Sequence, residues 1–195
     1  MVATLAVSAL QLGWISPSEG HHVALAVLGF TVPAQLMASV MGFRARDPVA
    51  GTGMGVLAGT WAGTALILLT SAPGAFVPGL GVLLVGASIS MLVPTVAATT
   101  KLVAAVVMGL SSLRFLLTGV THLTSSSGWQ TLAGWTGVLL AVVAFYAALG
   151  FELEDARHAP VLPLARRGRG ARAVEGGLQD QLETLEHEAG VRSQL

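Results

Sequence analysis

A single arginine inside a long apolar run is the residue best placed for binding chemistry. Arg114 lies within the run at about 101–120, where a cation in hydrocarbon costs at least ~2.5–3.5 kcal/mol. Polar residues recur around it at three- and four-residue steps, which on a helix form one stripe: Ser111, Thr118 and either Thr121 or His122. A cation among hydroxyl donors suits a small anion if it faces the interior. The alternative is an arginine that reaches the outer headgroups, and the sequence leaves both open.

Glycines repeat every fourth residue in another apolar run, at Gly51, Gly55, Gly59 and Gly63. This spacing predicts a helix face with almost no side-chain bulk, against which another backbone can pack closely. A glycine face can also line a narrow conduit. Gly55 and Gly59 are therefore candidates for a path through the bundle as well as for helix packing.

Two prolines predict breaks in otherwise apolar helices. Pro33 lies near Gln35, and Pro94 precedes Thr95. Proline frees a carbonyl that needs a new partner, so such breaks occur beside water-filled paths or as kinks packed on neighbouring helices. Gln35 is the candidate path residue at the first break.

Residue types that the apolar runs lack exclude several kinds of chemistry. No Asp or Glu lies within an apolar run, so a proton relay through a protein carboxylate is not expected. The chain has no cysteine, and Ser126 and Ser127 lie in a predicted outer loop with no histidine base in another run. We expect no enzyme activity, no cofactor, no metal site and no nucleic-acid partner, with His21 and His22 solvated in an outer loop.

The elements that must position these residues are six apolar runs. Charged residues make up 10% of the 195, against about 25% in ordinary soluble domains. The runs cover about 1–15, 22–43, 49–70, 79–98, 101–120 and 129–150. Most approach the ~20 residues that a helix needs to cross a bilayer, although the first is short. The predicted fold class is all-α, an integral membrane bundle of six transmembrane helices.

Basic residues predict the orientation of the bundle. Among the connections between runs, Lys and Arg occur only in alternate ones, at Arg44 and Arg46 and at Lys101, and further basic residues follow the sixth run. The positive-inside rule then places both termini in the cytoplasm. Trp14 and Trp129 fall at the opposite boundary, where indole rings favour the headgroup layer.

The sequence predicts two parts, a six-span domain at 1–151 and a cytoplasmic tail at 152–195. The basic, glycine-rich stretch 166–172 is expected to be a flexible strand near anionic headgroups. Leucines at helical spacing beside glutamates predict a short amphipathic helix within 174–189. That helix is either solvated or bound to a copy of itself or a cytosolic partner.

Two blocks of sequence resemble the acetate uptake transporter family, which includes the bacterial succinate–acetate permeases. The first runs from Ala34-Gln35 through the basic turn to Gly59-Thr60-Trp61 and Leu66-Ile67-Leu68-Leu69. The second runs from Leu132-Ala133-Gly134-Trp135-Thr136-Gly137 through Tyr146 and Gly150 to Val161-Leu162-Pro163. The chain departs from the family in lacking its Asn-Pro-Ala-Pro-Leu-Gly-Leu motif, in Gly42 where a glutamate is usual, and in Arg114 where the family is apolar.

The resemblance implies a multi-pass protein of the bacterial cytoplasmic membrane that passes acetate, succinate or another small anion. It also implies a homo-oligomer, a hexamer with a path through each protomer. Phe115 matches a family phenylalanine. The candidate path residues are Gln35, Gly55, Gly59, Ser111, Arg114, Phe115, Thr118 and Tyr146. The alternative is a non-transporting membrane protein whose cytoplasmic tail recruits a partner.

Overall fold

Six helices in series make up the computed structural model, which describes residues 1–157, 159 and 161–167. They are α1 (Val2–Gln11), α2 (Pro17–Arg44), α3 (Pro48–Thr70), α4 (Pro78–Ala97), α5 (Leu102–Thr124) and α6 (Ser127–Arg157). The last five are long and apolar enough to cross a membrane. The predicted all-α membrane bundle is thereby confirmed. The amphipathic helix predicted within 174–189 lies outside the described residues.

The helices form a closed ring in which each packs on the next, and α1 also packs on α6. Large apolar side chains point away from this ring, for example Phe30, Met37 and Val96, which are 61%, 68% and 70% exposed. Such an outer surface matches lipid rather than water. The chain is a multi-pass membrane protein, and Arg114 and several serines and threonines are buried inside its bundle.

α1 is shorter than the run that predicted it. Its 10 residues rise about 15 Å at 1.5 Å per residue, half of the ~30 Å hydrocarbon layer. The helix ends at Gln11 because Gly13 takes the left-handed conformation, with φ of +70°, which glycine adopts without steric cost. The end of α1 consequently lies inside the bundle, where its last side chain can reach neighbouring helices.

α2 contains the irregularity that Pro33 predicted. A π-helical turn covers Val27–Thr31, next to the proline, whose ring would clash with the carbonyl of Gly29 in a regular α-helix. The wider turn relieves that clash. Pro94 is buried inside α4, which continues as a helix to Ala97.

The glycines of α3 do not share one contact, in contrast to the prediction. A Cβ on Gly51 would meet the Phe43 ring of α2 at 2.6 Å, and one on Gly63 would meet Leu83 of α4 at 2.9 Å. Nothing lies within 4 Å of a Cβ on Gly59, which is exposed. The reason is helical geometry, since each four-residue step turns about 40° beyond a full turn, so the row winds from one neighbour to the next.

One end of the bundle, which we call the basic end, carries the connections with Arg44 and Lys101. Asp47 accepts a hydrogen bond from the Ala50 amide at 3.0 Å, which caps α3, and also pairs with Lys101. Although partial burial alone raises the pKa of Asp47, the bonds from Lys101 and Ala50 outweigh it, and the pKa lies below its ordinary value. The same carboxylate therefore joins two connections of the basic end.

The segment after α6 also folds back onto the basic end. Arg166 pairs with the buried Glu154 at 2.9 Å, and the Arg167 amide donates to the Thr100 carbonyl. Arg166 was expected in a flexible strand, and the structure corrects this, because a carboxylate that is 7% exposed holds its guanidinium. Leu164 is buried beside Gly150, at a place where a Cβ on that glycine would lie 2.5 Å away.

Candidate anion site

Arg114 lies in the interior of the bundle, midway along α5. It is 2% exposed and is among the largest fully buried side chains of the described residues. Its neighbours come from α1, α3 and α6. The sequence left open whether Arg114 faces the interior or reaches the outer headgroups. In the structure it faces the interior.

Three oxygens of α1 accept hydrogen bonds from Arg114. Nη2 donates to the Thr4 carbonyl at 3.2 Å, to Ser8 Oγ at 3.3 Å and to Gln11 Oε1 at 3.5 Å. These distances are longer than the ~2.7–2.9 Å of a charge-assisted bond to an anion. Nε is buried without a hydrogen-bond partner among the described residues. The guanidinium is thus surrounded by neutral acceptors that use only part of its donor capacity.

One aromatic ring lies beside the guanidinium, and a second ring packs against the first. The Cζ of Arg114 lies 5.3 Å from the centroid of the Trp61 ring, within the range of a cation–π contact. Phe115, which is 2% exposed, meets Trp61 edge-to-face at 6.0 Å between centroids. Trp61 belongs to α3 and Phe115 to α5, so this pair joins two helices across the interior of the ring.

Gly137 of α6 makes room for the arginine. A Cβ at this position would overlap Ser8 Oγ and Arg114 Nε and would lie 3.1 Å from Arg114 Cζ. Any larger residue would therefore displace the guanidinium or α1.

A cavity of 110 Å³, which we call the vestibule, opens at the end opposite the basic end. Gln11, Thr118, Thr64 and His122 line it together with Pro17, Gly20 and His21 at the start of α2 and residues 72–76 of the connection between α3 and α4. Gln11 Nε2 donates to Thr118 Oγ1 at 3.2 Å, and Thr64 Oγ1 is buried without a hydrogen-bond partner among the described residues. Polar atoms therefore lead from the vestibule to the side chains around Arg114.

No carboxylate of residues 1–150 balances Arg114. The two acidic residues in this range are Glu19 and Asp47. Glu19 contacts His22 at 2.9 Å and Asp47 pairs with Lys101, each in a connection between helices. The interior site consequently carries one uncompensated positive charge.

Three candidates from the sequence, Arg114, Phe115 and Thr118, come together at this site. Ser111 is buried one turn along α5 and donates to the Val107 carbonyl of its own helix at 2.8 Å. The sequence left open whether Thr121 or His122 continues the polar stripe. Thr121 is buried and donates to the Leu117 carbonyl, whereas His122 Nδ1 accepts a hydrogen bond from the Val77 amide at 3.1 Å.

The other candidates lie apart from Arg114. A Cβ on Gly55 would face Ser39 Oγ of α2 at 3.0 Å, and Gly59 is open to the outside. Gln35 is half-buried on α2, and its Oε1 has no hydrogen-bond partner among the described residues. The Tyr146 hydroxyl donates to the Pro163 carbonyl at 3.0 Å, near the basic end.

Sequence reasoning missed the acceptors that α1 supplies. Thr4, Ser8 and Gln11 follow one another at steps of four and three, the same helical stripe that marked α5. That spacing could have identified them. No comparable signal pointed to Trp61 as the ring beside Arg114.

The fold is similar to that of a solved membrane protein, the bacterial acetate channel SatP. The two backbones superpose with a TM-score of 0.65 over 83% of this chain and 97% of the channel, at 21% sequence identity. At this identity the similarity establishes the fold, which confirms the acetate-permease-like architecture. No family model and no curated protein matches the sequence.

Proposed function

We propose that the protein is a channel or transporter that passes small monocarboxylates such as acetate across a bacterial cytoplasmic membrane. The observation that carries this proposal is the buried Arg114 without a carboxylate partner in the helices. A buried cation that lacks an anion is strongly disfavoured. An anion that enters the interior would neutralise the charge of Arg114.

The surroundings of Arg114 favour a small carboxylate within the class of anions. The guanidinium presents its donors in a planar fork that matches two carboxylate oxygens, and Thr118 adds a hydroxyl nearby. The Trp61 and Phe115 rings offer an apolar surface for the methyl group of acetate. The likeness to an acetate channel agrees with this choice, and succinate or another small anion would use the same donors.

The proposed path starts at the vestibule, passes Gln11 and Thr118, reaches Arg114, and continues past Phe115 and Ser111 toward the basic end. The Trp61–Phe115 pair forms an apolar constriction that must part for an ion to pass. Gln35, Gly55 and Tyr146 would belong to the half of the path nearer the basic end, whereas Gly59 faces out of the bundle and would not line it. We place that end and both termini in the cytoplasm and propose a homo-oligomer, with hexamers as in the family that the chain resembles.

Flux of labelled acetate into liposomes that contain the purified protein tests the proposal. We expect saturable uptake above that of protein-free liposomes, with unlabelled acetate competing and a bulky aromatic carboxylate not competing. Uptake equal to that of empty liposomes would favour the rival, a non-transporting membrane protein whose tail binds a cytosolic partner.

A further inference from the structure

We propose that the side chain of Gln11 is a built-in competitor for the anion at Arg114. In this inference Gln11 occupies the carboxylate position beside the guanidinium while the site is empty. An anion that arrives from the vestibule replaces it. The inference rests on the proposed function, because it takes the ligand to be a small carboxylate.

Gln11 lies between the vestibule and Arg114. Its side chain lines the cavity, and its Oε1 lies 3.5 Å from Arg114 Nη2. Its Nε2 donates to Thr118 Oγ1 at 3.2 Å. One carboxamide therefore contacts both the cation and the hydroxyl that an entering anion would meet.

The chemistry of the amide explains why it can stand in for a carboxylate. Arginine only donates hydrogen bonds, so the atom that faces it must be the amide oxygen. A primary amide and a carboxylate are planar groups of nearly the same shape, but the amide carries no charge. A carboxylate would form shorter, charge-assisted bonds at the same position, so the anion displaces Gln11 rather than the reverse.

Displacement of Gln11 also leaves Thr118 ready for the anion. Thr118 Oγ1 accepts the bond from Gln11 Nε2, so once Nε2 has left, the second carboxylate oxygen can take its place and accept a hydrogen bond from the Thr118 hydroxyl. Gln11 is the last residue of α1, and its carbonyl is held by Gln130 Nε2 at 3.1 Å. The backbone can thus stay in place while the side chain turns about its own bonds into the vestibule.

Binding of sodium acetate to the purified full-length protein tests this inference without a transport measurement. Trp61 is the reporter because its ring lies 5.3 Å from the guanidinium, and the other indoles, Trp14, Trp129 and Trp135, are changed to Phe in the background. Acetate is titrated at constant ionic strength with sodium chloride, and the Trp61 emission gives the concentration for half-saturation.

Two substitutions of similar size should move that concentration in opposite directions. Gln11→Glu installs a permanent carboxylate beside Arg114, and we expect half-saturation to require at least about tenfold more acetate. Gln11→Met keeps the length but removes the competing oxygen, and we expect about threefold less acetate. Ser18→Glu adds the same charge at an exposed position in the first turn of α2, which does not line the vestibule, and should leave binding unchanged.

Three results would overturn the inference. The first is a Gln11→Glu protein that binds acetate like the Ser18→Glu control. The second is a Gln11→Met protein that binds more weakly, since Gln11 would then support the anion rather than compete with it. The third is a Trp61 emission that does not respond to acetate in the background protein. Opposite shifts of the two variants without acetate flux in liposomes would support the competitor and overturn the proposed function alone.

Discussion

At the scale of single residues, the described structure places a cation where every hydrogen-bond acceptor is neutral. Arg114 uses Nη2 for bonds of 3.2–3.5 Å to α1, while Nε has no partner among the described residues. Buried polar groups are normally paired, so the unpaired donor on this buried cation supports our proposal that an anion binds there.

The room for this cation depends on Gly137. We expect Gly137→Ala to destabilise the protein by about 1–3 kcal/mol, the usual cost of overpacking, because the new Cβ would overlap Arg114 and Ser8. Thermal unfolding in detergent measures the loss. Gly86→Ala is the matched control, since nothing lies within 4 Å of a Cβ there. Equal melting of the two variants would show that the arginine has space to move.

The sequence predicted the residues of this site that belong to α5 but not those that belong to α1. Steps of three and four residues identified Thr118 as a neighbour of Arg114 on α5, and the structure places both beside Gln11. Periodicity describes one helix, whereas the acceptors belong to α1, about a hundred residues away in the chain. The contact between α1 and α5 depends on how the six helices pack into a ring. No residue pattern within a single helix encodes that packing.

At the scale of helices, α3 shows how a regular glycine spacing serves different neighbours. Gly51 faces Phe43 of α2, whereas Gly59 faces no described atom within 4 Å. We expect Gly51→Leu to lower the yield of folded protein, because its side chain would push the two helices of the hairpin apart.

Gly59→Leu is the matched change in the same helix. We expect normal yield and melting temperature for that variant, since its side chain points out of the bundle. Size-exclusion chromatography and thermal unfolding compare the two. A folded, normally melting Gly51→Leu protein would contradict the close packing of α2 on α3.

Asp47, in the connection between α2 and α3, predicts that the stability of the protein depends on pH in the acid range. The pKa of Asp47 is lowered in the folded protein by its bonds to Lys101 and Ala50. The contribution of the Asp47 charge to the free energy of unfolding is therefore fully present above the ordinary carboxyl pKa of about 3.9. It is lost as the pH falls through the lowered pKa of the folded protein. We expect Asp47→Asn to reduce stability by up to about 1 kcal/mol at pH 7, as is usual for partly exposed pairs.

The Asp47→Asn effect should shrink as the pH falls through the lowered pKa of Asp47, because the native carboxylate then also becomes protonated. Urea unfolding of both proteins across this range measures the difference. A constant difference at every pH would mean that the charge of Asp47 contributes nothing.

At the scale of the whole molecule, the proposed orientation rests on where the basic residues lie. The chain has no native cysteine, so single cysteines report it without background. We expect cysteines at the exposed positions Ser18 and Ala75 to react with a membrane-impermeant thiol reagent in intact cells. A cysteine at the exposed Ala45 should react only after lysis. Labelling of position 45 from outside would reverse the topology.

The central claim is that an anion crosses this bundle by way of Arg114, and acetate flux through Arg114 variants tests it most directly. Wild-type, Arg114→Leu and Arg114→Lys proteins are reconstituted at equal amounts, and uptake of labelled acetate is followed. We expect leucine to abolish most of the flux while folded yield holds or rises, because it removes a buried charge. Lysine should restore flux only partly, since it keeps the charge but lacks the planar fork. Full flux through Arg114→Leu would contradict the claim and leave Arg114 a structural residue.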